Sequence, residues 1–182
     1  GEPHWALSYI DAMALWRAHK ASRLTLLYAT TWQVESDNPL VPAMSQSGDA
    51  VTTDFFSMFD LPFRFGGGWT ADDDAQHAAV AVISRHLNET LFAGQNSVGR
   101  EIRLDGQLFR IGGVLEDWNP RPRFFDAGSH GTVYAFDDAG DIYIPFTRAT
   151  DMKKDSTFVY CPTASRQSDT SNWEAYLHSG CD

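Results

Sequence analysis

AAVAVISRHLNETLFAGQNSVGREIRLDG, residues 78–106, runs through three different spacings in succession. Ala78 to Ile83 is a continuous run of small and β-branched residues, the pattern of a strand buried on both faces. Ser84 is placed to cap a helix, with Leu87, Leu91 and Phe92 on one side of it and Gly94 as its C-terminal stop. Beyond Gly99 the period changes to two. Glu101-Ile102-Arg103-Leu104 alternates, Asp105-Gly106 is a two-residue hairpin turn, and Leu108 to Val114 is the return strand. A strand-helix unit followed at once by a hairpin predicts an α+β fold, with a strand-helix subdomain and a mainly β one.

The flanks extend this reading. Trp5, Tyr9, Ala12, Met13, Trp16 and Lys20 fall at spacings of three and four, a helix over 5–20. Leu24 to Val34 alternates as a half-buried strand, before Asn38-Pro39 and Pro42 break the chain. A strand through Ala50 and Val51 leads to Thr52-Thr53-Asp54, read as an N-cap cluster for a short helix Phe55–Phe59. Gly66-Gly67-Gly68 reads as a turn and Thr70–Asp74 as an acidic loop. Asp141–Phe146 is a short strand with Pro145 near its edge, Ser156–Tyr160 another strand, and Trp173–Leu177 a last helix. The switch of pattern at 94–99 and the return after Pro145 predict a discontinuous division: 1–95 with 150–182 as the strand-helix part, and 96–149 as the β-rich part.

The 182 residues suit one domain or two small subdomains sharing a core. With 43% apolar residues and 21% charged, the chain has enough to fill a core. A net charge of -10 repels phosphate backbones and anionic headgroups, which argues against nucleic acid and against tight lipid docking. No apolar run approaches the ~20 residues that span a bilayer. The sequence opens on Gly1-Glu2-Pro3 without a starting Met, which reads as a chain excised or processed from a longer one. Cys161 and Cys181 fit no zinc spacing; they read either as one disulfide or as two unrelated buried thiols.

Catalytic patterns are missing. His4, His19, His77, His86, His130 and His178 form no H-x-H or H-E-x-x-H pair. The triple glycine lacks a following Gly-Lys-Ser/Thr, and Ser84 lacks the flanking glycines of a nucleophile elbow. Asp72-Asp73-Asp74 and Asp137, Asp138 and Asp141 lack the alternation of a calcium loop and read as solvated acidic loops. The sequence therefore predicts no catalytic residue, no cofactor and no metal, and ranks an independent hydrolase last. Trp118, Phe124 and Phe125, with Arg121 and Arg123 in the same loop, are the residue types favoured in interface cores. They are the candidate partner contact, with folding back onto their own domain as the alternative.

Five segments, in order, resemble the periplasmic domain of MacB-like ABC transporter permeases. They are Val51-Thr52-Thr53-Asp54-Phe55-Phe56-Ser57-Met58-Phe59; Phe63 through Gly68 with the acidic loop; Val80-Ala81-Val82-Ile83-Ser84 with Leu87, Leu91, Phe92 and Gly94; Ser97 through Gly106; and Ile111-Gly112-Gly113-Val114 with Asp141 through Phe146. The resemblance implies a porter-like strand-helix subdomain and a sabre-like β subdomain. It implies a loop domain outside the inner membrane, on the periplasmic or extracellular side, anchored by transmembrane helices. Its expected partners are a cytoplasmic ABC ATPase reached through those helices, a second permease copy or a relative, and a periplasmic adaptor or substrate. Its role would be to couple ATP hydrolysis to handling of that substrate or partner. The extracytoplasmic setting also favours pairing of Cys161 with Cys181. A ligand-binding sensor module of a membrane receptor or a peptide-detoxification permease is the alternative function.

Overall fold

The computed structural model describes residues 9–18, 20–36, 41–118 and 139–154. The elements in order are α1 (Tyr9–Ala18), β1 (Leu27–Glu35), β2 (Met44–Val51), α2 (Asp54–Met58), β3 (Phe63–Gly66), α3 (Ala71–Ala75), β4 (Val80–Ile83), α4 (Arg85–Phe92), β5 (Glu101–Leu104), β6 (Gln107–Leu115), β7 (Ile142–Pro145) and α5 (Phe146–Asp151). The expected Ser156–Tyr160 strand, the Trp173–Leu177 helix, Cys161, Cys181, Phe124 and Phe125 lie outside the described residues. No described helix is long and apolar enough to cross a membrane.

The α+β reading holds. The strands form one sheet in the order β3-β6-β4-β7-β2-β1-β5, and β5 also pairs with β6, so six of them close into a ring with β3 added outside β6. β4 runs parallel to β6 and antiparallel to β7, while β7 runs parallel to β2. The predicted hairpin forms as expected: Leu104 faces Gln107 across Asp105 and Gly106, whose φ of 49° and 77° are the left-handed values such a tight turn needs. β5 then also reaches β1, through Val34 opposite Leu104. The described strands of the 96–149 stretch thus share one sheet with β1, β2 and β4. The middle of that stretch, residues 119–138, lies outside the described residues.

β4 is buried on both faces because two cores flank it. Ala81 and Ile83 face an aliphatic core with Trp32, Val34, Leu87, Ile102, Leu104, Ile111, Ile142 and Ile144. Val80 and Val82 face an aromatic layer with Phe55, Phe56, Trp69 and Tyr143. The period-2 geometry of a strand sends alternate residues to the two sides. The glycine run does more than turn: Gly66 has φ of +65°, and a side chain on Gly113 would strike the Gly67 carbonyl.

The pairings fix two ends. Leu27, first in β1, faces Val51, last in β2, which faces Pro145, last in β7. The chain therefore enters the ring from α1 and leaves it into α5 at the same end. There Ala12 and Met13 of α1 pack with Leu26 and Phe146. At the other end Ile83, last in β4, pairs with Val114 of β6 and with Ile142, first in β7. β6 therefore ends and β7 begins at that second end. β7 is central in the sheet and ends at Pro145, as the sequence reading expects: the missing N–H falls where the strand stops.

Candidate functional site

The connection between β6 and β7 carries the predicted contact residues, and two successive residues at the start of α4 hold its two feet. Ser84 caps α4 as the sequence predicts, accepting from the Leu87 N–H at 3.0 Å. Its hydroxyl also donates to the Asp141 carboxylate, and its N–H donates to the Asp141 carbonyl at 2.8 Å. Asp141 in turn donates its N–H to the Ser47 carbonyl at 2.9 Å, which seats the returning foot on β2. The acid expected in a solvated loop is thus a bracket between α4 and β2.

Arg85 holds the departing foot. Its guanidinium donates to Glu116 at 3.0 Å, to Asp117 at 2.9 Å and, one helical turn on, to Glu89 at 2.8 Å. Arg64 on β3 approaches Glu116 at 3.7 Å. The hydrogen bond to Glu89 and the charges of Asp117 and Glu116 raise Arg85 further above its already high value, so it stays a cation throughout. Sequence reasoning missed this residue. The available signal was a cation in the first turn of a helix that has no acid there, where the helix dipole opposes it; such a residue needs anions from elsewhere.

Trp118 completes the departing foot. It is half-buried and meets Phe55 edge-on, ring centroids 6.0 Å apart. Trp118 packs against the aromatic layer. Phe55 also stacks on Tyr143 at 5.7 Å and contacts Phe59 at 4.9 Å, so the foot is continuous with the layer over β4 and β7. Among the described residues, no group of His, Cys, Asp and Glu is arranged to hold a metal ion.

The opposite end differs from expectation twice. Thr53 makes no side-chain cap; its hydroxyl donates to the Trp69 carbonyl at 2.5 Å. The acidic stretch is helix α3, opened by a capping box in which Thr70 accepts from the Asp73 N–H and Asp73 accepts from the Thr70 N–H. That bond to the Thr70 backbone holds the Asp73 carboxyl below its usual range. Asp74, next to it, is 0% exposed. Its carboxylate accepts the Thr53 N–H at 2.7 Å and the Trp69 indole N–H at 2.8 Å.

The sequence model of the MacB-like periplasmic core domain matches residues 4–174. The pyoverdine export ATP-binding/permease protein PvdT of Pseudomonas putida is 31% identical over 98 residues, which are 53% of this chain and 13% of that protein. The periplasmic region of MacB from Actinobacillus actinomycetemcomitans superposes with a TM-score of 0.58 at 18% identity, over 81% of this chain and 59% of that one. The extracellular domain of the noncanonic ABC-type transporter YknZ from Gram-positive bacteria gives 0.59 at 13% identity, over 82% and 67%. At such identities the structural likeness speaks for the fold. The chain covers about an eighth of the curated relative it matches.

Proposed function

The chain belongs to the family of MacB-like periplasmic core domains, and on that premise we propose that it is the extracytoplasmic part of an ABC transporter permease, relaying movement between membrane helices and a surface that meets substrate or a periplasmic partner. The observation that supports this most directly is the placement of the two ends. The chain enters and leaves the ring along one row, Leu27, Val51 and Pro145. The feet of residues 119–138 are held at the other, around Ile83, Ser84 and Asp141.

A relay needs a stiff body between its input and its output. The body here is the closed ring, which leaves few free backbone groups and packs side chains on both faces of β4 and β7. Membrane helices joined to α1 and beyond α5 would move one end, and the whole ring would carry that motion about 10 Å along β7 to the loop feet. A ligand or partner biases the position only through a difference in its contacts between the two positions. Trp118 seats the departing foot on the aromatic layer, and the intervening residues, with Phe124 and Phe125, would supply the contact. ATP would be hydrolysed by a cytoplasmic ATPase, with this domain contributing no reacting group.

The test replaces Phe124 and Phe125 with Ser in the full transporter. Transport falls at least several-fold, the domain keeps its fold by circular dichroism, and ATP hydrolysis by the purified ATPase alone is unchanged. Full transport by that double variant defeats the assignment of the contact. ATP or ester hydrolysis by the 182-residue chain itself defeats the relay reading.

A further inference from the structure

We propose that Asp74 is a proton-linked clasp that holds α2, α3 and α5 together where the chain enters and leaves the ring, tightening in mildly acidic surroundings and loosening toward neutral pH. The hydrogen bonds make the junction, and full burial of the carboxyl group makes it sensitive to the proton. The carboxylate of Asp74, on α3, gathers the N–H of Thr53, just before α2, and the indole N–H of Trp69, which is buried edge-on against Phe56 at 4.6 Å. The backbone carbonyl of the same residue accepts the hydroxyl of Thr147 on α5 at 2.8 Å. One residue therefore ties three elements together by both its side chain and its main chain. α5 is the element through which the chain leaves β7.

Among the described residues, no countercharge pairs with this carboxyl group. Asp54 faces it from α2, and Asp73 and the exposed Asp72 lie beside it on α3. From α5, Asp151 pairs with His77 at 2.6 Å, while Arg148 turns away to Gln107 at 2.7 Å. Burial raises the group well above the carboxylate range, to about 6; the bonds from Thr53 and Trp69 pull the other way, and the charges of Asp73 and Asp54 add to the rise.

The sign follows from linkage. The folded value lies above the unfolded one, so the folded state takes up a proton that the unfolded state does not hold. The resulting stability is fully present below about pH 4 and is lost as pH rises through about 6. Between about pH 5 and pH 7, Asp74 alone lowers the folding equilibrium constant about tenfold. The inference is independent of the contact surface at the loop end, and either can fail without the other.

The experiment is urea unfolding of the 182-residue chain at pH 5, 6 and 7, for wild type and for Asp74→Asn, with amide exchange across α3 and α5 corrected for intrinsic rate. Wild type should lose about tenfold more in folding constant over that range than D74N, and α5 should exchange faster at pH 7. An equal pH slope in both proteins overturns the proposal. Asn puts an amide N–H opposite one of the two donors, so D74N can fail to fold. A carboxyl titration of the wild type by carbon NMR, read together with the Trp69 indole proton, decides independently. An aspartate titrating near pH 6 in step with that indole upholds the clasp, and no aspartate titrating above about pH 5 ends it.

Discussion

At the end where the chain enters and leaves, a carboxylate with no exposed surface gathers a backbone N–H and an indole N–H inside an aromatic layer. At the loop end, the cation of Arg85 grips acids that stand in water, Asp117 being 79% exposed. The two arrangements differ in what they resist. A buried polar junction is strong because each group left without its partner costs about 1–3 kcal/mol. An exposed ion pair is worth about 0–1 kcal/mol and yields to salt. The first fixes where the ring meets the rest of the chain. The second holds a connection in place while leaving it easy to displace, which is what a contact surface requires.

Phe55 is the residue that joins the two ends. It follows Asp54 in α2, stacks on Tyr143 of the central strand and meets Trp118 at the loop foot. Phe55→Ala should cost about 3–5 kcal/mol, because the site is enclosed by rings that cannot collapse to fill the cavity. The measurement is the urea midpoint of the 182-residue chain at constant slope. A loss under about 1 kcal/mol would mean that the aromatic layer does not connect the ends.

The local signals were legible in the sequence and the long-range ones were not. The strand Val80–Ile83, the Ser84 cap and the Asp105-Gly106 hairpin all follow from residues within one turn or one strand of each other. Ring closure needs β5 to find β1 some seventy positions away, and no alternation encodes that partner. From sequence Asp74 reads as a solvated acid, because its neighbours Asp72 and Asp73 are acidic. Its burial depends on Thr53, 21 residues upstream, and on an indole brought in by the glycine run. Thr53 fails as a cap for a backbone reason: its φ of -53° and ψ of -32° are already helical, where a capping residue is extended, as Thr70 and Ser84 are. Helix α5 also went unread, since Pro145 suggested a break and its helical residues are anchored by contacts to α3 rather than by a local cap.

Ser84 lies between the two extremes, being partly buried and bonded to both α4 and Asp141. Ser84→Ala removes a helix cap and a bracket together, and should cost about 1–2 kcal/mol. Ser84→Thr keeps an oxygen there and should restore most of it. Faster amide exchange at Asp141 and Ile142 in the Ala variant would place the loss at the returning foot. Unchanged exchange there would show that the bracket contributes only through the cap.

Arg85→Ala should show the smallest effect on stability and is the sharpest test of the contrast. Its ion pairs with Glu89, Glu116 and Asp117 sit at a solvent-exposed surface, so they contribute little to stability. Alanine also removes a cation from the first turn of α4, where the helix dipole disfavours it slightly. The two terms nearly cancel, and the urea midpoint should move little. Salt removes both: in about 1 M salt the screening length falls to about 3 Å, and any remaining difference between wild type and variant should vanish. In the full transporter, however, the departing foot would lose its grip on Glu116 and Asp117, so transport should fall by more than stability does. A stability loss as large as that of Phe55→Ala would show that the loop end is held as rigidly as the other, and would remove the physical basis for treating it as the adaptable surface.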